Sequence, residues 1–510
     1  MSKKLLLNSL SGTALYFVNV VIMFIMSPVI IKALGNRDYG LWEMIMGVVG
    51  YMGLLDMGIG PALLRYVAVA YSREDEKELQ KIISTAQIFF LAVGFVAASV
   101  LILLSRYPSL IVGRESIDTS YLGLVFILFA VNAGLSFPLN VFTAVLMGVQ
   151  RHYLINLTRG ILGVIRAIIA FFLLKEYFGK GLLVLALLEP VFNLIQFLIF
   201  TIALRMDKSI PRFNKSTFSL LKLRELFGYG SKSATLMVAS RIQNASLPFV
   251  ISAMLGVSSI VFFTMPNRLI DYAKGLSLAM GFPLTPYFAS QMTGDDINTV
   301  KNSWLNTSLA LQIITSAMPL FLFFCGEQFL SIWIGKEYGI AGRGVLYCLV
   351  IALFVEAIAP NASRILMASG HHGRAAIMWL IVAILSIPLA AFGASKWGVT
   401  GVALGSSSAI IVGNLVTLCM ACNDVGVTFT EYLQRTLMRL ALPLMLLTLL
   451  LWITGTLLMP ENYLLLAFQV FPCGLFYLIA VWYLTLNAEI RSRITRKIFM
   501  LLKRPGTSLT

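Results

Sequence analysis

Residues 5–31 read LLLNSLSGTALYFVNVVIMFIMSPVII, an apolar run long enough to cross a lipid bilayer as one helix. The run follows MSKK and contains no small-residue cleavage pattern, so we interpret it as a first membrane span and not as a signal peptide. Apolar stretches of similar length recur along the whole chain. Of the 510 residues, 58% are hydrophobic and 12% charged, whereas a soluble protein carries about 25% charged residues. The composition therefore predicts a membrane protein.

The hydropathy pattern predicts an all-α polytopic membrane protein with about 14 transmembrane helices. The predicted spans lie at about 8–32, 41–66, 82–104, 121–147, 153–174, 181–204, 226–255, 258–287, 303–325, 344–369, 374–395, 398–421, 437–459 and 463–486. If the N-terminus is cytoplasmic, 24 Lys and Arg residues fall on the cytoplasmic side and nine on the other. The positive-inside rule therefore places both termini in the cytoplasm, and the even number of spans agrees with this.

A shift of about 220 residues aligns the chain with part of itself. LMGVQRHY at 146–153 falls on LMASGHHG at 366–373, and Gly181 falls on Gly401. Each copy holds six spans in the same orientation, which predicts two six-helix lobes as parallel repeats with a cavity between them. The predicted domains are an N-terminal lobe (1–206), a cytoplasmic amphipathic linker (207–225), a C-terminal lobe (226–422), transmembrane helices 13 and 14 as a C-terminal helix pair (423–486) and a basic cytoplasmic tail (487–510).

Several predicted spans contain charged side chains, each costing at least ~2.5–3.5 kcal/mol at the bilayer centre. The seventh and eighth spans together carry four cations and one acid: Lys232, Arg241, Arg268, Lys274 and Asp271. The remaining charges in the spans are Glu43, Asp56, Arg166, Glu189, Glu356 and Arg364. Internal pairing is one interpretation, because Asp271 can reach Arg268 and Lys274 on one flank of a helix. The other is a water-filled cationic site, because one carboxylate cannot neutralise both cations.

The repeat favours the second interpretation. Positions 220 residues before the five charges of the seventh and eighth spans carry no charge: Gly12, Val21, Val48, Tyr51 and Leu54. A fold that is duplicated without the charges does not itself require them, which favours a ligand. Four cations suit an anion, most simply phosphate or diphosphate, which Arg and Lys bind through charge-assisted hydrogen bonds.

The sequence offers little support for other chemistry. Cys419 and Cys422 form a lone CxxC without a second pair or a nearby histidine, so neither a metal site nor a cofactor is predicted. No GxxxxGK[ST] motif occurs, which argues against a P-loop ATPase. The net charge of +16 follows mainly from the positive-inside bias and does not require a nucleic acid. The basic residues of the tail do not alternate with aromatic residues, and its Ile490, Ile494, Ile498 and Leu501 at helical spacing predict a helix on the membrane lipids.

Two motifs resemble a known family. LGNRDYGLWEMI at 34–45, followed by LLDMGIGPALLRYVA at 54–68, resembles the start of the polysaccharide transporter family. That family holds the O-antigen and exopolysaccharide lipid flippases, within the multidrug/oligosaccharidyl-lipid/polysaccharide exporter superfamily. The number of spans, the doubled lobes, the linker and the C-terminal pair fit the family across nearly the whole chain.

The resemblance implies a cavity lined by the first, second, seventh and eighth spans. It implies that a polyprenyl-diphosphate-linked oligosaccharide moves outward across the bacterial inner membrane by alternating access, with a glycan polymerase or glycosyltransferases as partners. By position, Lys232, Arg241, Arg268 and Lys274 would hold the diphosphate. Glu43, Asp56 and Asp271 would be candidates for coupling to protons or sodium. Drug exporters of the superfamily often carry an acid in the first span, which this chain lacks, so the coupling ion stays open. The remaining intramembrane charges are expected to pair within their lobes: Arg166, Glu189, Glu356 and Arg364.

Three other functions are considered. A membrane glycosyltransferase or polymerase would need an external catalytic loop rich in acids or arginines, and the longest outer loops, about 106–120 and 326–343, are short and poor in such clusters. We therefore predict no catalytic residues and no enzyme. An ion-coupled multidrug exporter for cations would need a cavity of the opposite charge. A non-transporting scaffold would not need unpaired intramembrane charges.

Overall fold

The computed structural model describes residues 3–108, 119–177, 179–207, 209–281, 283–292, 297–458, 460–488, 491–492 and 495–496. Within these ranges the regular structure is helical throughout, which confirms the predicted all-α class. Ten helices there are long and apolar enough to cross a membrane by length and composition. One of them, 373–425, contains two predicted spans, and another, 10–56, covers most of the first predicted span and part of the second. The charged seventh and eighth spans are not among the ten. The count is therefore compatible with 14 spans.

The chain forms two compact units. The first comprises residues 1–263 and 376–406, and the second comprises residues 264–375 and 407–510. The division into lobes, linker, helix pair and tail stays a prediction. The tail positions Ile490, Ile494, Ile498 and Leu501 lie outside the described residues.

The helices up to residue 255 belong to the first unit. They are α1 (Lys3–Met52), α2 (Ile59–Ser72), α3 (Glu76–Arg106), α4 (Thr119–Gly148), α5 (His152–Glu176), α6 (Gly181–Met206), α7 (Leu220–Ala245) and α8 (Leu247–Leu255). Apolar side chains of α1, α5 and α6 form one core of this unit, which includes Met26, Leu174 and Phe192.

The later helices follow in chain order. They are α9 (Ile260–Gly281), α10 (Leu284–Gln291), α11 (Ile297–Thr315), α12 (Ala317–Trp333), α13 (Lys336–Ile358), α14 (Ala362–Ala368), α15 (His372–Val425), α16 (Phe429–Arg435), α17 (Leu437–Leu457) and α18 (Tyr463–Ala480). Several predicted spans are interrupted. The eighth is divided between α9 and α10, and the tenth between α13 and α14. The eleventh and twelfth predicted spans are instead joined as the two halves of α15, and the break between them lies at Trp397 and Gly398.

The second predicted span changes conformation near its middle. After α1 ends, a 3₁₀ turn covers Gly53–Asp56, and Met57 and Gly58 adopt left-handed backbone conformations with φ of 52° and 77°. The backbone N–H of Gly60 donates to Oδ1 of Asp56 at 2.9 Å. Asp56 therefore satisfies one of the donors at the start of α2 that have no partner inside the helix.

Helix α7 approaches α2 so closely that their backbones touch. A Cβ placed on Gly230 would lie 2.6 Å from the carbonyl oxygen of Gly58. Near the start of α7, the buried Lys222 pairs with Glu78 of α3 and with Glu225. Burial lowers the pKa of Lys222, but its hydrogen bonds to the two carboxylates outweigh burial and raise the pKa overall. These contacts hold α7 against α2 and α3.

The second unit is built around a polar network at the break between α13 and α14. Pro360 lies in this break, and the carbonyl oxygen of Ile358 accepts hydrogen bonds from Gln312 of α11 and from Tyr432 of α16, the latter at 3.1 Å. The side chain of Asn361 is fully buried. Its Oδ1 accepts from Trp304 Nε1 at 3.1 Å and from Ser308 Oγ at 2.7 Å.

We expect Gly230→Ala to destabilise the protein by about 1–3 kcal/mol, because the added methyl group overlaps the backbone of α2. Gly228→Ala is the matched control, since a Cβ there meets nothing within 4 Å and both changes remove a glycine from the interior of α7. Thermal unfolding of the purified protein in detergent measures the difference. Equal melting temperatures for the two variants would contradict the close approach.

We expect Asn361→Ala to cost more than about 2 kcal/mol, because it leaves the donors on Trp304 and Ser308 buried without their acceptor. Asn414→Ala is the control, because among the residues that the structure describes the Asn414 side chain bonds only to the carbonyl oxygen of Ile410 in its own helix. Both variants are compared with the parent by thermal unfolding in detergent. A smaller loss for Asn361→Ala than for Asn414→Ala would show that the network does not stabilise the second unit.

Candidate functional site

Helix α9 carries three of the sequence-predicted site residues, Arg268, Asp271 and Lys274. Asp271 is exposed and accepts a hydrogen bond from Nδ2 of Asn267 at 3.2 Å. Arg268 is half-buried, and both it and Asp271 have interaction partners. The charged face predicted for the eighth span is therefore present on one helix of the second unit.

Lys274 has an ion-pair partner that the sequence did not assign to it. Its Nζ lies 3.2 Å from Oε2 of Glu356, in the last turn of α13. The two side chains are 31% and 35% exposed. Ser277 of α9 and Thr315 of α11 line the same small pocket. The sequence assigned only Asp271 to restrain this lysine, whereas the structure supplies a carboxylate from another helix. No local pattern connects residues 82 positions apart, although both lie in predicted spans.

Arg364 of α14 also reaches α9. Its Nη2 donates to the carbonyl oxygen of Leu278 at 3.3 Å. A Cβ on Gly281 would lie 2.4 Å from Arg364 Nε, so the guanidinium occupies the space that a side chain at position 281 would need. Within the described part of the chain, this Nε is buried and has no hydrogen-bond partner. Arg364 is therefore a further cation on the side of α9 that faces α13 and α14.

In the first unit, Arg241 of α7 is exposed. It lies over two glycines near the middle of the second predicted span. Added Cβ atoms on Gly50 and Gly53 would lie 3.7 Å from its Nη1 and 3.8 Å from its Nη2. Among the residues that the structure describes, Arg241 has no ion-pair partner. Lys232 belongs to the same helix, but its side chain lies outside the described residues.

The two acids predicted for the first lobe have structural partners. Glu43 accepts a hydrogen bond from the hydroxyl of the buried Tyr39 at 2.5 Å. Asp56 caps α2 through Gly60. The role of Glu43, Asp56 and Asp271 in ion coupling stays a prediction.

One expected structural pair is confirmed. Arg166 Nη1 of α5 donates to Glu189 Oε1 of α6 at 2.8 Å, which joins two helices of the first unit. Glu356 was also expected to pair within its lobe, and its partner is Lys274. Pairing between helices therefore neutralises some of the intramembrane charges.

The site chemistry is that of cations and carboxylates. The described residues contain no group of three or more His, Cys, Asp or Glu side chains able to hold one metal ion, and the five cysteines are free thiols. Arg and Lys side chains in a water-filled, partly exposed setting can bind anionic oxygens through charge-assisted hydrogen bonds. A carboxylate among these cations can either pair with one of them or bind a proton or another cation.

Comparison with known proteins supports the motifs. Residues 5–292 match the family model described as "Polysaccharide biosynthesis protein". The chain is 24% identical over 390 residues to a putative O-antigen transporter of Shigella flexneri, a match that covers 76% of this chain and 90% of that relative.

Solved structures of two transporters share the fold. The lipid II flippase MurJ, in an inward closed conformation, matches with a TM-score of 0.71 and 18% identity over 96% of this chain and 99% of that one. An inward-facing multidrug resistance transporter of the MATE family and MOP superfamily matches with a TM-score of 0.67 and 14% identity over 84% of this chain and 95% of that one. The family model covers more than half of the sequence, which confirms the resemblance of the motifs at 34–45 and 54–68: the chain belongs to the family of polysaccharide biosynthesis proteins.

Proposed function

We propose that this chain is a lipid-linked oligosaccharide flippase. It moves polyprenyl-diphosphate-linked glycan units from the cytoplasmic to the outer leaflet by alternating access, for surface polysaccharide biosynthesis. The family match, the relative named as an O-antigen transporter and the fold shared with a lipid II flippase all support this function. A transport function without catalysis is supported by the relative named as a transporter and by the fold shared with transporters.

The observation that carries the proposal is the surplus of cations on α7 and α9. Along the chain, Lys232, Arg241, Arg268 and Lys274 fall within the predicted seventh and eighth spans. Even with Asp271 and Glu356 counted against them, two positive charges remain. Placing such charges in a membrane is costly, so their retention supports a ligand of opposite charge. The diphosphate of a lipid-linked glycan supplies that charge at the head of an apolar chain.

The remaining parts of the proposal follow from the same chemistry. The protein lies in the bacterial inner membrane with both termini in the cytoplasm, as the distribution of Lys and Arg supports. Glu43, Asp56 and Asp271 are the candidates for coupling transport to protons or sodium. A glycan polymerase or glycosyltransferases would supply or consume the lipid-linked oligosaccharide. The proposal requires no cofactor and no nucleic acid.

Reconstitution tests the function directly. We expect proteoliposomes that contain the purified chain to move a labelled polyprenyl-diphosphate sugar between leaflets faster than protein-free liposomes. Extraction or enzymatic modification of the outer-leaflet label measures the rate. Movement at the protein-free rate would overturn the flippase proposal, and transport of a cationic drug instead would favour the exporter alternative.

The cations are tested one at a time in the same assay. We expect Arg241→Ala and Arg268→Ala each to slow movement of the labelled lipid about tenfold or more, because each removes a charge-assisted contact to phosphate. Arg343→Ala is the control, because the side chain of Arg343 in α13 is 57% exposed and is not one of the four cations assigned to the substrate. Its Nη1 lies 3.8 Å from Oε2 of Glu327 in α12. Unchanged movement by both variants, at unchanged protein yield and melting temperature, would show that these arginines do not bind the substrate.

A further inference from the structure

The Lys274–Glu356 pair differs from a purely structural ion pair of the same protein. In the Arg166–Glu189 pair the atoms are 2.8 Å apart, and the cation and carboxylate side chains are 44% and 18% exposed. In the Lys274–Glu356 pair the atoms are 3.2 Å apart, and the cation and carboxylate side chains are 31% and 35% exposed. The difference lies in the contact length and in the carboxylate, and a longer contact with a more accessible carboxylate can be opened at lower cost by a ligand that replaces that carboxylate.

The position of Glu356 in its helix also permits movement. Glu356 lies in the last turn of α13, two residues before the helix ends at Ile358. Its carbonyl oxygen accepts the hydrogen bond from the backbone N–H of Ala359, and Pro360 follows. The side chain of Glu356 therefore lies at the end of a helix, next to a break in the backbone, and not in the middle of a continuous helix. The network at Ile358 and Asn361 holds the backbone on the other side of the break.

The local charge depends on Glu356. The charged groups on the intramembrane parts of α9, α13 and α14 are three cations and two acids: Arg268, Asp271, Lys274, Glu356 and Arg364. With both carboxylates ionised the sum is +1, and without the charge of Glu356 it is +2. A diphosphate linking a lipid to a sugar carries one negative charge on each phosphate. The two negative charges of the diphosphate therefore equal the sum of +2 that remains when the charge of Glu356 is left out.

We propose that Glu356 is the displaceable counter-ion of Lys274. In the empty site it neutralises the lysine, and when substrate arrives a phosphate takes its place. Arg364, with a buried Nε that has no hydrogen-bond partner among the described residues, lies on the same face and contributes to the charge that then attracts the diphosphate. The inference rests on the proposed flippase function and deepens it. The carboxylate of Glu356 competes with the substrate for Lys274 and thereby helps to set the affinity for the substrate.

The test is a double-mutant cycle measured by binding. The probe is the labelled polyprenyl-diphosphate sugar of the reconstitution assay, added to the purified full-length protein in detergent, with the dissociation constant read by tryptophan fluorescence or calorimetry. We expect Glu356→Gln to tighten binding about tenfold, because the competing charge is removed while the side chain keeps its size. Lys274→Gln should weaken binding about tenfold, and adding Glu356→Gln to Lys274→Gln should give no gain.

Glu189→Gln is the matched control. It removes the carboxylate charge from the other intramembrane pair, Arg166–Glu189, and we expect it to leave the dissociation constant unchanged. Melting temperatures show whether each variant is folded. Unchanged or weaker binding by a folded Glu356→Gln variant would overturn the counter-ion role, as would a gain that persists in the Lys274→Gln background.

The two levels of the proposal fail in different ways. A wild-type protein that neither binds nor moves the labelled polyprenyl-diphosphate sugar would overturn both the flippase and the counter-ion role. A wild-type protein that binds the probe and moves the labelled lipid, with no gain in Glu356→Gln, would overturn only the counter-ion role.

Discussion

A helix that breaks inside a membrane must find protein partners for the backbone groups it exposes, because lipid offers none. The break between α13 and α14 meets this requirement through Gln312 and Tyr432, which both donate to the carbonyl oxygen of Ile358. The buried Asn361 joins the same break to α11 through Trp304 and Ser308. The network fixes the backbone between Glu356 and Arg364. Each of these two charged side chains then reaches α9, one at Lys274 and the other at Leu278 and Gly281.

Glycine makes room for the large cations in both units. Arg241 lies over Gly50 and Gly53, and the guanidinium of Arg364 occupies the space beside Gly281. A guanidinium is planar and keeps its charge, so it needs a flat, open surface more than a deep pocket. A side chain at position 281 would displace the guanidinium of Arg364, whereas a Cβ at position 50 or 53 would only contact Arg241 at 3.7 or 3.8 Å.

The sequence was sufficient to predict the all-α class and which predicted spans carry unusual charge. Long apolar runs determine the predicted spans, but they did not predict the helix boundary at Asp56, where Gly58 and Gly60 disfavour a continuous helix. The partner of Lys274 could not be predicted, because periodicity shows only neighbours on one helix, such as Asp271. Glu356 becomes its partner only when α13 packs near α9. The polar network around Asn361 was missed for the same reason, since its members come from α11, from α16 and from the break between α13 and α14.

The Lys274–Glu356 pair also bears on how the chain enters the membrane during synthesis. Helix α9 is not among the ten strongly apolar helices, and it reaches the translocation machinery with Arg268 and Lys274 before α13 has been made. The carboxylate that neutralises Lys274 is synthesised more than 80 residues later. The Glu356 partner of Lys274 is therefore available to α9 only after α13 has been made, so the order of translation and the final packing of the second unit are linked through one ion pair.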